Sequence, residues 1–259
     1  MTHPLPPGST IGILGGGQLG RMLAMAASRL GLSCHVYCPD PDSPAFDVCG
    51  AHTVAAYDDR AALEAFASAC DVVTYEFENV PAPTVEILSA LVPARPSGRS
   101  LAICQDRLEE KQLLENLGIA AAAWAQVDCL DDLRAAIDRL GAPAILKTRR
   151  LGYDGKGQAV LKSPEDADAA WDSIGHPRLI VEKFVDFHRE VSMIAVRAED
   201  GELAFYPITE NTHHEGILRY SIAPAPRLEK HIQEDAERYI RALLNELDYV
   251  GVLTLELFE

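Results

Sequence analysis

A short apolar run, Thr10 to Leu14, ends in Gly15-Gly-Gly-Gln-Leu-Gly20 and passes straight into a helical pattern, Arg21 to Leu30, that closes at Gly31. A strand that must turn at once into a helix, with glycines where side chains would block the turn, commits a chain to a β-α-β unit in a parallel sheet. The next predicted strand is Ser33 to Cys38, followed by Pro39-Asp40-Pro41-Asp42. Gly15, Gly17 and Gly20 match the G-x-G-x-x-G pattern, and Asp40 lies about where a ribose-binding carboxylate would. An NAD-binding Rossmann domain is one expectation. A second explanation stands beside it, because any strand-to-helix turn that packs tightly or faces an anion needs similar glycines.

The β/α rhythm continues. Thr53-Val-Ala-Ala is a candidate strand, Arg60 to Ala69 a helix, and Asp71 to Tyr75 a strand that runs into Glu76-Phe-Glu-Asn79. Carboxylates at the C-terminal end of such a strand sit where open α/β sheets bind ligands. Glu76 or Asn79 could equally cap a helix starting near Pro83. Val92 to Gly98, rich in Pro, Arg and Ser, reads as a domain boundary. The expected domains are therefore 1–98 and 99–259.

The second half opens with a helix over Gln105 to Leu117, on which Arg107 and Lys111 share a face at i, i+4. Two basic residues on one helix face are usually solvated. A strand candidate at Ala121 to Val127 and a helix at Asp131 to Leu140 follow. Ala144-Ile-Leu-Lys147 then delivers a lysine at the polar end of an apolar run, five residues before Gly152-Tyr-Asp-Gly-Lys-Gly-Gln158. Such a glycine loop can turn backbone N–H groups toward an anion, and the lysine adds a point charge for a phosphate oxygen. It is not a Walker P-loop, and a plain hairpin between two strands would look similar.

Later elements are a strand from Ala159 to Leu161, a helix start at Ser163-Pro164, an apolar run Leu179 to Val185, and a strand Glu190 to Val196. A long amphipathic helix spans Leu228 to Leu247, and a final strand spans Val250 to Glu259 with Glu256 on the face of Val252 and Thr254. A carboxylate in an otherwise apolar strand needs a partner, and a cation would serve.

Composition narrows the function. A net charge of −16 over 259 residues excludes a basic nucleic-acid-binding face as the organising feature. An acidic chain that holds a polyphosphate must build a local positive site, which draws attention to Lys147, Lys156 and the nearby arginines. No apolar run approaches a membrane span, and Gly15 to Gly17 interrupt any signal-like segment. The six cysteines show no C-x-x-C spacing and are expected as reduced, buried thiols of a cytoplasmic protein.

Taken in order, these segments resemble the ATP-grasp superfamily. They are the glycine-rich β-α-β start, Asp106-Arg107 with Lys111, Ile145-Leu-Lys147, Gly152 to Gln158, Ile180-Val-Glu182, Glu190-Val-Ser and Glu256. Thr74-Tyr-Glu-Phe-Glu-Asn-Val80, Gly16 to Met22 and the Asn211 to Arg219 run are similar to the N5-carboxyaminoimidazole ribonucleotide synthases of purine biosynthesis. The resemblance spans nearly the whole chain. It implies an α/β ATP-grasp fold behind a Rossmann-like pre-ATP-grasp domain that holds no NAD, with a lid subdomain over about 120–186. It implies an ATP-dependent ligase that carboxylates aminoimidazole ribonucleotide with bicarbonate. A formate-using ribonucleotide transformylase of the same superfamily is the alternative.

By position, the resemblance makes Lys147 the catalytic cation and Arg107 and Lys147 the contacts to ATP phosphates. Gly152, Tyr153, Asp154, Gly155, Lys156, Gly157 and Gln158 become the flap over them. Glu182, Lys183, Phe184 and Val185 become the adenine hinge, Glu190 the ribose acceptor, His213 a further ATP-site residue and Glu256 a Mg2+ carboxylate. Glu76, Tyr153 and Asp154 become contacts to the imidazole nucleotide. Lys156 stands where many relatives carry arginine, and lysine cannot make a bidentate contact. The resemblance further implies a cytoplasmic homodimer with small-molecule substrates and neither nucleic acid nor membrane as partner. Such proteins continue past the last strand to a second metal carboxylate and a substrate-holding cluster. The chain is therefore expected to be an N-terminal portion with little turnover of its own.

Overall fold

The computed structural model describes residues 4–152, 156–175, 178–214 and 216–259. Two compact units emerge. One comprises 1–102 with 197–202 and 247–251, and the other 103–196, 203–246 and 252–259.

The first unit is built on β1 (Thr10–Leu14), α1 (Gln18–Arg29), β2 (Ser33–Tyr37), β3 (Ala51–Thr53), α2 (Arg60–Ser68), β4 (Val72–Tyr75) and α3 (Ala82–Ser89). The sheet order is β3-β2-β1-β4 and each pairing is parallel. Helices between parallel strands cover the sheet, so strand residues of both parities are buried, among them Ile13, Leu14, Val36 and Tyr37. Phe66 of α2 packs edge-on against His35 and Tyr37, with ring centroids 4.8 and 5.3 Å apart. The third strand starts at Ala51 rather than at the expected Thr53. It pairs His35 with Ala51 and Tyr37 with Thr53, so it ends where β2 ends. Of the six cysteines only Cys34 is fully buried, and Cys129 is exposed, so uniform burial does not hold. Burial still pushes the Cys70 thiol up to about 12.

The expected helix over Gln105–Leu117 is α5 (Arg107–Asn116), and a further helix, α4 (Gly98–Cys104), precedes it. The start of α5 has a local cause: Asp106 caps it, its Oδ1 accepting from Leu108 N–H at 3.0 Å. The second unit continues with β5 (Trp124–Val127), α6 (Leu130–Leu140), β6 (Ala144–Thr148), β7 (Gln158–Leu161), α7 (Ala167–Ile174) and β8 (Leu179–Lys183). Its antiparallel sheet runs β5-β8-β6-β7. Because side chains alternate along a strand, one face of this sheet is settled by burial. Ala125, Val127, Ala144, Leu146, Leu161, Leu179 and Val181 pack with Leu133, Ala136 and Ile137 of α6 and with Ala167 and Ala170 of α7. Ile145, Lys147, Ile180 and Glu182 are thereby turned to the opposite face.

A second sheet follows: β9 (Glu190–Arg197), β10 (Leu203–Phe205), β11 (Thr209–His214) and β12 (Ile217–Ile222), in order β10-β9-β11-β12. Helix α8 (Lys230–Glu246) leads to β13 (Gly251–Phe258), which pairs with β9. Val191, Met193 and Ala195 are buried on one face of β9. Among the described residues no helix is long and apolar enough to cross a membrane.

Leu146 is fully buried beside Lys147 in chain order and points to the helix-covered face. Leu146→Ala should lower stability by about 2–5 kcal/mol, read as a drop in the urea midpoint at unchanged slope.

Candidate nucleotide site

The pairing of β6 with β8 places Ile145 opposite Glu182 and Lys147 opposite Ile180. Lys147 and Glu182 are therefore diagonal neighbours on one sheet face, close enough for long side chains to meet. Lys147 Nζ lies 3.2 Å from Glu182 Oε2. Lys111 Nζ of α5 reaches the same oxygen, also at 3.2 Å. All three side chains are largely buried, and Glu182 is only 11% exposed. Lys111 was thus not solvent decoration. The hint was its place one turn after Arg107, but its partner lies seventy-one positions away and no local pattern marks it.

The charges do not cancel. One carboxylate serves two ammonium groups, and Arg107 lies near enough to add its own positive field. Burial pushes the Glu182 carboxyl up, but Lys147 and Lys111 together outweigh burial and hold it below the usual carboxylate range. Lys147 goes the other way. Burial drives its ammonium below the usual lysine value, Glu182 only partly opposes this, and Arg107 and Lys111 add to the depression. The cluster is a desolvated site with net positive charge, which suits a polyphosphate.

A second ion pair aims this cluster. Arg149, just beyond β6, forms a bidentate pair with Asp106, with Nε to Oδ1 at 2.8 Å and Nη2 to Oδ2 at 2.6 Å. Arg107 N–H donates to Arg149 O at 2.9 Å, and Arg150 Nη2 donates to Gln105 Oε1 at 2.5 Å. These bonds lock the start of α5 to the end of β6, so Arg107, Lys111 and Lys147 keep a common register. Arg107 Nη2 in turn donates to Gly152 O at 3.1 Å, where the glycine loop begins. A side chain at Gly152 would crowd that guanidinium, its Cβ meeting Nη2 at 3.2 Å. Gln158 of β7 lies opposite Lys147, and Lys156 and Gly157 are exposed before it. Tyr153, Asp154 and Gly155 lie outside the described residues.

The hinge segment follows β8. Lys183 N–H donates to Ala123 O at 2.8 Å and Phe184 N–H to Pro143 O at 3.0 Å. Those two donors are committed to the sheet and are not offered to a base. Val185 N–H makes no hydrogen bond among the described residues and is the donor the segment has to offer.

The second sheet carries the other expected residues. Glu190 pairs across from Asn211, and His213 lies two positions on along β11. His213 Nδ1 approaches Glu190 Oε2 to 2.7 Å but has no aligned hydrogen-bond partner among the described residues, so the contact is one of proximity. Asn211 Nδ2 donates to Ser192 Oγ at 2.6 Å and Ser221 Oγ donates to Asn211 Oδ1 at 2.7 Å. Arg189 and Glu259 exchange both backbone hydrogen bonds, an antiparallel pair. Alternation from that pair places Glu256 on the face that carries Glu190, Ser192, Asn211 and His213. Glu256 is exposed, as are its face-mates Val252, Thr254 and Phe258. An exposed carboxylate is solvated and needs no partner to offset burial. Among the described residues no group of three or more His, Cys, Asp and Glu could hold a metal. A single projecting carboxylate still fits Mg2+ shared with nucleotide phosphates, since that ion takes one or two protein carboxylates and keeps its waters.

In the first unit, Glu76 does not cap the helix near Pro83. α3 is preceded by Pro81 and has no side-chain cap. Glu76 Oε1 instead accepts from Gly17 N–H at 2.6 Å, and Oε2 accepts from Gly20 N–H.

An antiparallel sheet that delivers a buried lysine cluster to a glycine loop, joined to a second sheet with carboxylates on one face, is the architecture of an ATP-grasp protein. The ATP-grasp domain family matches residues 112–259, and the ribonucleotide synthetase preATP-grasp domain family matches residues 9–105. N5-carboxyaminoimidazole ribonucleotide synthase of Pseudomonas aeruginosa is 48% identical over 249 residues, covering 96% of this chain and 68% of the relative. The crystal structure of the ADP complex of an N5-carboxyaminoimidazole ribonucleotide synthetase superposes with a TM-score of 0.94 at 41% identity, over 100% of this chain and 68% of the other. The Aspergillus clavatus synthase in complex with ADP and 5-aminoimidazole ribonucleotide superposes with a TM-score of 0.85 at 28% identity, over 97% and 66%. This chain belongs to the N5-carboxyaminoimidazole ribonucleotide synthase family.

The depressed carboxylates give a signed pH dependence. Burial pushes Asp106 up, but Arg149, the Leu108 N–H and Arg150 hold it below its ordinary value of 3.8, and Glu182 sits below 4.5. Their stabilisation is present in full above those ordinary values and is lost as pH falls through the lower folded-state values. Urea midpoints should decline below about pH 4.5, and the decline should be shallower in Glu182→Gln. Equal slopes in the two proteins would exclude Glu182 as a contributor.

Proposed function

We propose that this chain binds Mg-ATP through Arg107, Lys111 and Lys147 and serves the carboxylation of aminoimidazole ribonucleotide by bicarbonate. The supporting observation is the shared Glu182 oxygen. Two buried ammonium groups with one carboxylate between them, beside Arg107, need a further anion, and phosphate oxygens supply it. In the family reaction a bicarbonate oxygen attacks the γ-phosphorus and ADP leaves, giving carboxyphosphate. The exocyclic amine nitrogen then bonds to the carboxyl carbon, phosphate departs, and the amine releases a proton. Lys147 and Lys111 neutralise charge as it shifts toward the leaving oxygen, and Arg107 links them to the start of the glycine loop. That loop, Gly152 to Gln158, acts as the flap that keeps water off the labile intermediate.

Val185 N–H reads the adenine edge, Glu190 accepts from the ribose and His213 borders that contact. Glu256 would hold Mg2+ through its carboxylate, and the ion when bound would neutralise part of the phosphate charge. Glu76, with Tyr153 and Asp154, meets the ribonucleotide. A Rossmann-like domain over 1–98, an ATP-grasp domain over 99–259 and a cytoplasmic homodimer complete the proposal.

Lys147→Ala should weaken Mg-ATP binding by about 10- to 100-fold, the loss of one charge-assisted contact, measured by isothermal titration calorimetry. Because its ammonium is depressed when no anion is present, nucleotide binding should draw a proton onto Lys147 at alkaline pH. Affinity should therefore fall as pH rises through that depressed value, and the Lys147→Ala variant should lack the fall. Substrate identity is read from ADP release in bicarbonate buffer. Release that depends on aminoimidazole ribonucleotide supports the proposal, whereas release that depends on formate instead would transfer the chain to the transformylases.

A further inference from the structure

β1 and β4 are adjacent parallel strands with Leu14 paired to Tyr75, so the residues that follow them, Gly15 and Glu76, emerge side by side. Glu76 N–H donates to Leu14 O at 3.0 Å, which holds the start of the second loop against the first. The Glu76 side chain then turns into the glycine loop. One carboxylate oxygen takes Gly17 N–H and the other takes Gly20 N–H, in the first turn of α1 where unpaired N–H groups and the helix dipole favour an anion. The three glycines of the motif all border this carboxyl group. A Cβ on Gly15 would meet Glu76 Cγ at 2.5 Å, one on Gly17 would meet Oε1 at 2.8 Å, and one on Gly20 would meet Oε2 at 3.0 Å. Gly15 also has φ +102°, which a side chain disfavours.

We propose that Gly15 to Gly20 is a receptor for the chain's own Glu76 carboxylate, an internal anion that occupies the place where a dinucleotide pyrophosphate would sit in a Rossmann domain. The glycines leave the space through which the carboxylate approaches the backbone, and Gly20 in addition clears Gly15 O, which a Cβ there would meet at 2.8 Å. The loop is thus a positioning device for Glu76, and removing the side chain opens a hole that accepts a small free carboxylate. The inference stands whether or not Glu76 also meets the ribonucleotide.

The test is thermal unfolding of wild type, Glu76→Ala, Glu76→Gln and Gly20→Ala, each in sodium chloride and in sodium formate at equal ionic strength. Glu76→Ala should melt at least about 5 °C below wild type, and formate should restore half or more of the loss while leaving wild type unmoved. Gly20→Ala should melt lower as well, since its methyl group would also meet Gly15 O at 2.8 Å, but gain nothing from formate, because the Glu76 carboxylate is still present. Glu76→Gln keeps the shape and one acceptor, so it should fall between wild type and Glu76→Ala. It also carries the comparison if Glu76→Ala does not fold. A wild-type melting temperature in Glu76→Gln, or a Glu76→Ala response to formate no larger than its response to chloride, would overturn the proposal.

Discussion

The candidate site depends on one carboxylate oxygen shared by two lysines. A chain with net charge −16 can attract a polyphosphate only by gathering cations locally, and gathered cations repel one another. Glu182 lets Lys111 and Lys147 come together before any nucleotide arrives. It does so incompletely, and the remaining positive charge is what the proposed phosphate contact rests on. Full neutralisation would have made a stable ion-pair network with no reason to bind anything.

Asp106 and Glu76 use the same physics for different ends. Asp106 faces a guanidinium in a bidentate pair and also caps α5, so one buried carboxylate fastens a helix start to a strand end. Glu76 faces backbone N–H groups at the start of α1, so it fastens one crossover loop to another. Each shows negative charge employed as internal scaffolding within an acidic protein. The positive groups that contact these carboxylates are held in register by them, and Arg107, next in sequence to Asp106, inherits its position from that clamp.

Much of the fold was legible in the chain. The strand-turn-helix at Thr10 to Gly20 implied parallel β-α-β units, and the family resemblance carried the ATP-grasp architecture over nearly the whole length. Local pairing adjusted the details. The third strand ends at Thr53 because its partner β2 ends at Tyr37, and the helix expected from Gln105 starts at Arg107 because Asp106 caps it. Glu256 lies on an exposed face of β13. A strand pattern tells which residues share a face but not whether anything covers it.

The sequence by itself determined the alternation of elements, the glycine punctuation and the fact that Lys147 and Leu146 point to opposite faces, since these follow from periodicities of two or about four residues. Only the tertiary structure decided that Lys111 meets Glu182, that Arg149 meets Asp106 and that Glu76 fills the glycine loop. Those partners are separated by dozens of positions. Their contacts arise from strand order and helix placement, to which a local pattern is blind.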